Sequence, residues 1–147
     1  MPQFSRNVTV DWSGPLKDGG KGVAQAGSGA FSLPVTWGSR VEDPEGRTSP
    51  EELIAAAHAV CYAMVINNVV GKMGGSIGKT HVTCTVTGDL SDAGLKIQSS
   101  KLDLTVEGLT GIDPAAFPQI AKDAEGKCPV SGALRGGIAI EVNATVK

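Results

Sequence analysis

The sequence predicts an α+β fold in one domain spanning residues 1–147. Apolar and polar residues alternate in the first third of the chain, in its second half and at its end, which is typical of half-buried strands. One long apolar stretch between them predicts a helix. The strands are grouped instead of alternating regularly with helices, and this favours antiparallel sheets in an α+β architecture.

The composition argues against several classes of protein. Hydrophobic residues make up 41% of the chain and charged residues 19%, which disfavours disorder. The net charge is −2 and there are only 3 Phe, 2 Trp and 1 Tyr, so we expect no nucleic acid partner. The 3 cysteines are too few and odd in number for a disulfide framework, and no signal peptide is recognisable. We therefore expect a cytoplasmic protein, and we predict no cofactor and no metal site.

The first third of the chain predicts an antiparallel meander. Its alternating apolar residues are Val8, Val10 and Trp12, then, after the turn at Gly19-Gly20, Phe31, Leu33, Val35 and Trp37. Pro34 cannot donate to a ladder and must lie on an edge or at a bulge. The polar stretch 38–48 has no apolar period and predicts an exposed loop.

A long helix is predicted from Ser49-Pro50 to about Met73. Ser49 can cap it, Pro50 suits the first helical position, and Glu52 suits a capping box. The helix is apolar all round, so several layers must enclose it, and a second copy of the chain is one source of such a layer. Its polar interruptions disfavour a membrane span, and no membrane partner is expected.

The second half predicts two strands, a helix and a closing strand. Val82, Cys84 and Val86 alternate in the first strand, and a bulge near Ser99-Ser100 would explain a change of apolar phase in the next. Asp113-Pro114 predicts a helix ending near Gly126. A short turn or helix is expected after Cys128-Pro129, and alternation over 138–142 predicts a final strand.

Two of the three cysteines are candidates for thiol chemistry. Cys84 alternates with valines, which indicates a small buried apolar residue. Cys61 lies in the middle of the long helix, and Cys128 lies beside Lys127, whose charge can stabilise a thiolate. From spacing alone, a Cys61–Cys128 redox pair and two separate buried thiols both remain open.

A reactive thiol needs a nearby cation, because only about 3% is thiolate at neutral pH with an unperturbed pKa near 8.5. Arg40 and Arg47 in the polar stretch are both candidates. Glu51 lies ten residues before Cys61, about 15 Å along the helix. It cannot touch that cysteine, so any cooperation between the two would need a second chain. His58 is either a core histidine or a base for Cys61.

Two motifs resemble those of a known family. Ser49-Pro50-Glu51-Glu52-Leu53 is followed by Ala55-Ala56-Ala57-His58-Ala59-Val60-Cys61, and Cys128-Pro129-Val130-Ser131 comes later. With the order of elements, they resemble the OsmC/Ohr family of osmotically inducible and organic hydroperoxide resistance proteins, the OsmC branch in particular. Arg40 matches the arginine of that branch, whereas Lys21 follows Gly19-Gly20 where the other branch has arginine. Tyr62 and Gly132 depart from residues common in the family.

The resemblance implies an OsmC-like fold, with antiparallel sheets around the long cysteine-bearing helix of an intertwined homodimer. It implies a peroxidase in which Cys61 becomes a sulfenic acid and Cys128 then forms a disulfide with it. Arg40 would activate Cys61, and Glu51 would hold Arg40. Organic hydroperoxides would be the substrates, with hydrogen peroxide reduced less well, and a lipoyl-type dithiol would be the reductant. The alternative is a non-catalytic dimeric stress or small apolar ligand-binding protein of the same fold.

Overall fold

The computed structural model describes residues 2–136, in which four helices and five strands are present. In chain order they are β1 (Val8–Ser13), β2 (Lys21–Ala26), β3 (Ser32–Thr36), α1 (Trp37–Val41), α2 (Pro50–Lys72), β4 (Lys79–Ser91), β5 (Gly94–Glu107), α3 (Phe117–Glu125) and α4 (Pro129–Leu134). The strand predicted over 138–142 lies outside the described residues.

The chain divides into two compact units. The first unit contains Met1–Ala55 and Thr85–Ser100, and the second contains Ala56–Cys84 and Lys101–Lys147. The boundary crosses α2 near its start and crosses the β4-β5 hairpin. A single domain over the whole chain stays a prediction.

The first unit contains the predicted antiparallel meander. Among residues 2–136 its strands are ordered β1-β2-β3, and Pro34 in the end strand β3 pairs with Val23, so this proline lies at an edge of the described sheet, one of the two positions expected for it. Trp12 pairs with Gly22 across β1 and β2. A Cβ at residue 22 would lie 2.7 Å from the Trp12 ring, so only glycine fits beside the indole.

The structure corrects the prediction that residues 38–48 form a loop throughout. The short helix α1 occupies Trp37–Val41, and Trp37 therefore does not belong to the strand. Thr36 caps α1, because its side chain accepts a hydrogen bond from the Ser39 amide while the Ser39 hydroxyl accepts one from the Thr36 amide. This reciprocal cap was missed because Ser39 stands where the usual motif has Glu or Gln.

Helix α2 confirms the predicted long helix. The Ser49 hydroxyl accepts a hydrogen bond from the Glu52 amide at 3.1 Å, as expected of a cap, while the Glu52 carboxylate accepts one from the Thr48 hydroxyl at 2.9 Å. Four buried residues, His58, Tyr62, Ile66 and Val70, follow at intervals of four and form one face. By length and composition alone α2 could cross a membrane, a test that core helices also pass.

The hairpin of β4 and β5 forms a two-stranded sheet. Strand β5 is continuous over the residues where a bulge was expected, and the bulge itself stays a prediction. The alternation of exposure nevertheless changes phase there. Ser100, Leu102, Leu104 and Val106 are partly buried, whereas Ile97 before them is 41% exposed.

The helix predicted from Asp113-Pro114 begins later than expected, at Phe117. Asp113 instead holds a turn, since its carboxylate accepts a hydrogen bond from the Ala115 amide at 3.0 Å. The predicted end of this helix near Gly126 is confirmed, because Gly126 is the C-cap of α3. Helix α4 confirms the short helix expected after Cys128-Pro129. The core of the second unit is the buried cluster Tyr62, Ile66, Val70, Ala124 and Cys128.

Truncating this core is expected to destabilise the protein strongly. Ile66 is 0% exposed, so Ile66→Ala should lower the free energy of unfolding by about 2–5 kcal/mol, through lost burial and the cavity left behind. Ile97→Ala is the matched control, because Ile97 is 41% exposed and should lose much less. Equal losses for both variants in urea unfolding would contradict this assignment of the core.

Candidate functional site

The two cysteines singled out in the sequence lie side by side in the second unit. Cys61 is partly buried on α2, and Cys128 is buried at the N-cap of α4. Their sulfur atoms are 3.2 Å apart, and both are free thiols. Sulfurs this close can form a disulfide after small movements. That they form one during a reaction stays a prediction.

The surroundings of the two thiols favour a thiolate at Cys128. Burial raises the pKa of Cys128, but the Ser131 amide and hydroxyl, the nearby Cys61 thiol and the Val130 amide together hold it below its usual value. Burial raises the pKa of Cys61, the Val130 amide opposes this, and Cys128 raises it further.

A thiolate at Cys61 would need stabilisation by a further group. None of the groups that shift the pKa of Cys61 in the described part of the chain is a cation. Desolvation without a cation disfavours the thiolate. The expectation that an arginine activates Cys61 stays a prediction. In that prediction the arginine supplies the positive charge that these neighbours lack.

Arg40 and Glu51 form an ion pair in the first unit. The Arg40 Nε donates to Oε1 and Oε2 of Glu51 at 3.0 and 3.2 Å, and Nη2 donates to Oε1 at 2.7 Å. The Glu51 side chain is 13% exposed and that of Arg40 28%, so the pair is largely shielded from water. Arg47 pairs instead with the exposed Glu45 at 3.0 Å. The expected partnership of Arg40 with Glu51 is therefore present, and charge-assisted bidentate pairs of this kind fix geometry well.

His58 makes hydrogen bonds that its sequence position did not reveal. Its Nε2 lies 2.7 Å from the Ser131 hydroxyl, and its Nδ1 lies 3.7 Å from the Cys84 sulfur. Burial lowers the pKa of His58, with Glu125 raising it and Arg135 lowering it as smaller effects. The spacing of His58 from Tyr62, Ile66 and Val70 is the signal that places it on the buried face. No spacing or motif in the sequence pointed to Ser131, 73 residues away, as its hydrogen-bond partner.

A cavity of about 660 Å³ lies in the first unit and includes none of the four predicted site residues. Its walls include Trp12, Leu16 and Trp37, with the cations Lys17, Lys21 and Arg47. The Lys17 ammonium lies 5.7 Å from the centre of the Trp37 ring. Within residues 2–136, no group of three or more His, Cys, Asp or Glu side chains is arranged to hold a metal ion.

The sequence matches a known family over most of its length. The family model of OsmC-like proteins matches residues 43–143. Peroxiredoxin OsmC of Escherichia coli is 36% identical over 131 residues, which cover 88% of this chain and 90% of that protein. The chain belongs to the OsmC family. Organic hydroperoxide resistance protein-like 2 of Staphylococcus epidermidis is a more distant relative, 26% identical over 68% of this chain and 69% of its own.

Solved structures confirm the α+β, OsmC-like fold of this OsmC-family chain. The organic hydroperoxide resistance protein OhrB of Bacillus subtilis has a TM-score of 0.66 at 20% identity, covering 88% of this chain and 91% of its own. An organic hydroperoxide resistance protein OsmC from Legionella pneumophila has a TM-score of 0.65 at 22% identity, covering 88% and 90%. The resemblance inferred from the cysteine motifs is thus confirmed.

The buried His58 predicts a loss of stability in mild acid. Its pKa is lowered in the folded chain, so as the pH falls through about 6.5 the unfolded chain takes up a proton on this histidine more readily than the folded chain does. The free energy of unfolding should fall below that pH. In urea titrations between pH 7.5 and 5, the free energy of unfolding of the His58→Gln variant should fall less than that of the wild type. His81→Gln, at an exposed position in β4, is the control and should keep the wild-type slope. Identical slopes for wild type and His58→Gln would contradict this role of burial.

Proposed function

We propose that this protein is a thiol peroxidase that reduces organic hydroperoxides to alcohols, and hydrogen peroxide less well, in defence against oxidative and osmotic stress. The observation that carries the proposal is the 3.2 Å separation of the Cys61 and Cys128 sulfurs in a chain of the OsmC family. The names of its relatives, a peroxiredoxin and organic hydroperoxide resistance proteins, support a peroxide-related role. We propose the cytoplasm as its location, since 3 cysteines are too few and odd in number for the disulfide framework of a small secreted domain.

In the first step, the Cys61 thiolate attacks the terminal oxygen of the hydroperoxide. The O–O bond breaks, a sulfenic acid forms on Cys61, and the alkoxide leaves and takes a proton to become the alcohol. Cys61 is the better candidate for this step because it is partly exposed, whereas Cys128 is only 2% exposed. An apolar substrate tail would add roughly 0.8 kcal/mol of binding per buried methylene, which favours organic hydroperoxides.

In the second step, the Cys128 thiolate attacks the sulfur of the sulfenic acid and displaces hydroxide, which leaves as water once protonated. The lowered pKa of Cys128 suits it to this attack, because the thiolate is the nucleophile. A dithiol of the lipoyl type then reduces the disulfide and returns both thiols. No cofactor is required in this scheme.

Arg40, held by Glu51, is the cation proposed to lower the pKa of Cys61 and to orient the peroxide. Glu51 and Cys61 are ten positions apart on α2, about 15 Å along its axis. The site therefore takes Cys61 from one chain and the ion pair from a second copy. A two-fold symmetric homodimer would contain two such sites.

The surface of the described chain supports a homodimer. On α2, Val60 is 56% exposed and Met64 is 70% exposed, on the side away from the buried face. On β1, Val8 and Val10 are 51% and 56% exposed. Large apolar side chains gathered on two elements are typical of surfaces that bind a partner.

The second candidate is a non-catalytic dimer that binds a small apolar molecule. The cavity of about 660 Å³ beside Trp12 and Trp37 favours it. A protein of this class would bind an apolar ligand with a change in tryptophan fluorescence, and it would not consume hydroperoxide. The close pair of thiols and the shielded Arg40–Glu51 pair have no use in such a protein, which is why the peroxidase is preferred.

One equivalent of cumene hydroperoxide is expected to remove two free thiols per chain and to leave Cys84 open to alkylation. Cys61→Ser should abolish hydroperoxide consumption with a dithiol reductant. Cys128→Ser is the matched control, and it should still be oxidised once and yield a sulfenic acid that dimedone traps on Cys61. Peptide mapping that finds Cys84 in the disulfide would contradict the assignment of Cys128.

Replacing Arg40 is expected to change the pH dependence of Cys61. A nearby cation commonly lowers a thiol pKa by one unit or more, so Arg40→Ala should slow alkylation of Cys61 about tenfold at pH 6 to 7, with little change at pH 9. Arg47→Ala is the control, since Arg47 pairs with an exposed glutamate. If Arg47→Ala produced the effect and Arg40→Ala did not, the roles of the two arginines would be reversed.

Mixed dimers test whether the sites are shared between chains. A heterodimer of one Glu51→Ala chain and one Cys61→Ser chain should keep one intact site and about half of the wild-type activity, because the other site carries both changes. If each site lay within a single chain, both would be defective and activity would match the weaker homodimer. Sedimentation of the wild type as a monomer at micromolar concentration would also refute the shared site.

A further inference from the structure

The cavity of about 660 Å³ in the first unit has no part in the mechanism proposed above. Its volume is typical of pockets that take up a small molecule. Trp12, Leu16 and Val23 line it, and all three are exposed in the folded chain. A ligand with an apolar body would remove this surface from water, and that removal favours binding.

The loop between β1 and β2, which carries Lys17, is held in place by contacts within the first unit. Near its start, the Trp12 indole Nε1 donates to the Gly14 carbonyl at 3.0 Å. At its end, the backbone of Gly20 passes so close to the loop that a Cβ there would lie 1.8 Å from the Pro15 carbonyl oxygen. This wall of the cavity is therefore formed by the fold itself, before any ligand binds.

Two lysines at the cavity form no ion pair within residues 2–136, where the ion pairs join other residues. The Lys17 ammonium lies 5.7 Å from the centre of the Trp37 ring, within reach of a cation–π attraction. Lys21 lies on β2 opposite uncharged residues of β1 and β3. Asp18 follows Lys17 in the chain, but it is exposed and is not part of the walls. Both ammonium groups are therefore available to an anion.

The charges at the cavity leave one positive charge without a counterpart. Lys17, Lys21 and Arg47 are its cations, and Asp11 is the one carboxylate among the described residues that line it. Arg47 already pairs with Glu45 at 3.0 Å. Asp11 can offset one of the two lysines, so a single positive charge remains. A ligand with one negative charge complements this balance, whereas a dianion exceeds it.

We propose that this cavity binds an aromatic monocarboxylate, whose carboxylate is held by Lys17 and Lys21 and whose flat apolar body lies against the Trp37 indole. The two carboxylate oxygens can accept charge-assisted hydrogen bonds from both ammonium groups. A flat aromatic body suits the indole because aromatic rings stack at an offset or meet edge to face. This site takes no part in the thiol chemistry and goes beyond the proposed function.

Tryptophan fluorescence measures binding directly, because both of the chain's 2 tryptophans line the cavity. We expect 4-ethylbenzoate to change the emission of the full chain and to reach half-saturation at a concentration on the order of 1 mM or lower. The neutral 4-ethylbenzyl alcohol has a similar shape and should bind about tenfold more weakly, because it makes no charge-assisted contacts. The dianion 4-ethylphenyl phosphate should bind no more tightly than the carboxylate at pH 8.

Three results of this titration would overturn the proposal. The first is the absence of a saturable change with 4-ethylbenzoate. The second is equal binding of the carboxylate and the alcohol, which would leave a purely apolar cavity, as the second candidate function requires. The third is tighter binding of the phosphate, which would contradict the balance of one positive charge.

Lysine variants test the contacts with the carboxylate. Lys21→Met keeps an unbranched side chain and removes the charge, so it should weaken 4-ethylbenzoate about tenfold and leave 4-ethylbenzyl alcohol unchanged. Lys17→Met should do the same. Lys122→Met is the matched control, because Lys122 is exposed on α3 in the second unit, and it should bind like the wild type. Both cavity lysines are exposed, so their variants should fold, which circular dichroism can verify. Unchanged carboxylate binding in both cavity variants would overturn the proposal.

Trp37→Leu tests the aromatic contact, with Trp12 left as the fluorescent reporter. Loss of the indole should weaken the carboxylate and the alcohol by a similar factor of several-fold, since both present the same ring. This pattern differs from that of the lysine variants, which should affect the carboxylate alone. Binding of both ligands to Trp37→Leu as tightly as to the wild type would overturn the placement of the ring.

A variant without the two redox candidates separates this site from the peroxidase. The double variant Cys61→Ser, Cys128→Ser should bind 4-ethylbenzoate as tightly as the wild type and should consume no hydroperoxide. Loss of carboxylate binding in it would place the ligand at the thiols and overturn the inference. If the wild type binds the carboxylate and consumes no hydroperoxide, the inference holds and the proposed function fails. If it consumes hydroperoxide and binds no carboxylate, only the inference fails.

Discussion

The packing of one face of α2 into the second unit is the constraint on which the thiol pair depends. Tyr62, Ile66 and Val70 on that face are buried with Ala124 and Cys128 in one cluster. The Tyr62 hydroxyl also donates to the Ala121 carbonyl of α3 at 2.7 Å, which fixes the helix that precedes Cys128. Close-packed interiors move little, so the neighbouring Cys61 is held at a fixed distance from Cys128. Disulfide chemistry needs this precision, because two sulfurs bond only within a narrow geometry.

The pKa values of the two thiols are shifted in opposite directions by their surroundings. Burial acts against a thiolate at both sulfurs, but the Ser131 amide and hydroxyl, the Cys61 thiol and the Val130 amide more than offset burial at Cys128, whereas the Val130 amide does not offset it at Cys61. A lowered pKa would suit Cys128 to the proposed attack on a sulfenic acid and to departure from a disulfide. A thiolate at Cys61 would need stabilisation by another group, and Arg40, held by Glu51, is the proposed cation. Without Arg40 beside it, Cys61 would carry little thiolate, and its oxidation would therefore be slow.

Predictions that depend on residues close together in the chain were largely confirmed. Contacts between residues far apart in the chain could not be predicted from the sequence. The cap at Ser49 and the proline at residue 50 give the start of α2, and alternation gives the meander, because each depends on neighbours in the chain. The late start of α3 shows the limit of such signals, since an Asp-Pro pair suits a turn as well as a helix cap. Helix α1 was missed because five residues carry too short a period to recognise.

The sequence by itself determined the family, the two redox candidates and the helix that carries Cys61, because motif, spacing and hydrophobic period are all local properties. Only the tertiary structure decided that Arg40, and not Arg47, is bound to Glu51, and that the two sulfurs lie 3.2 Å apart. It also decided the partners of His58, since a hydrogen bond across 73 residues leaves no trace in spacing. Folding brings these groups together through burial of apolar side chains. The same burial excludes water, which would otherwise screen the electrostatic interactions and weaken the hydrogen bonds between them.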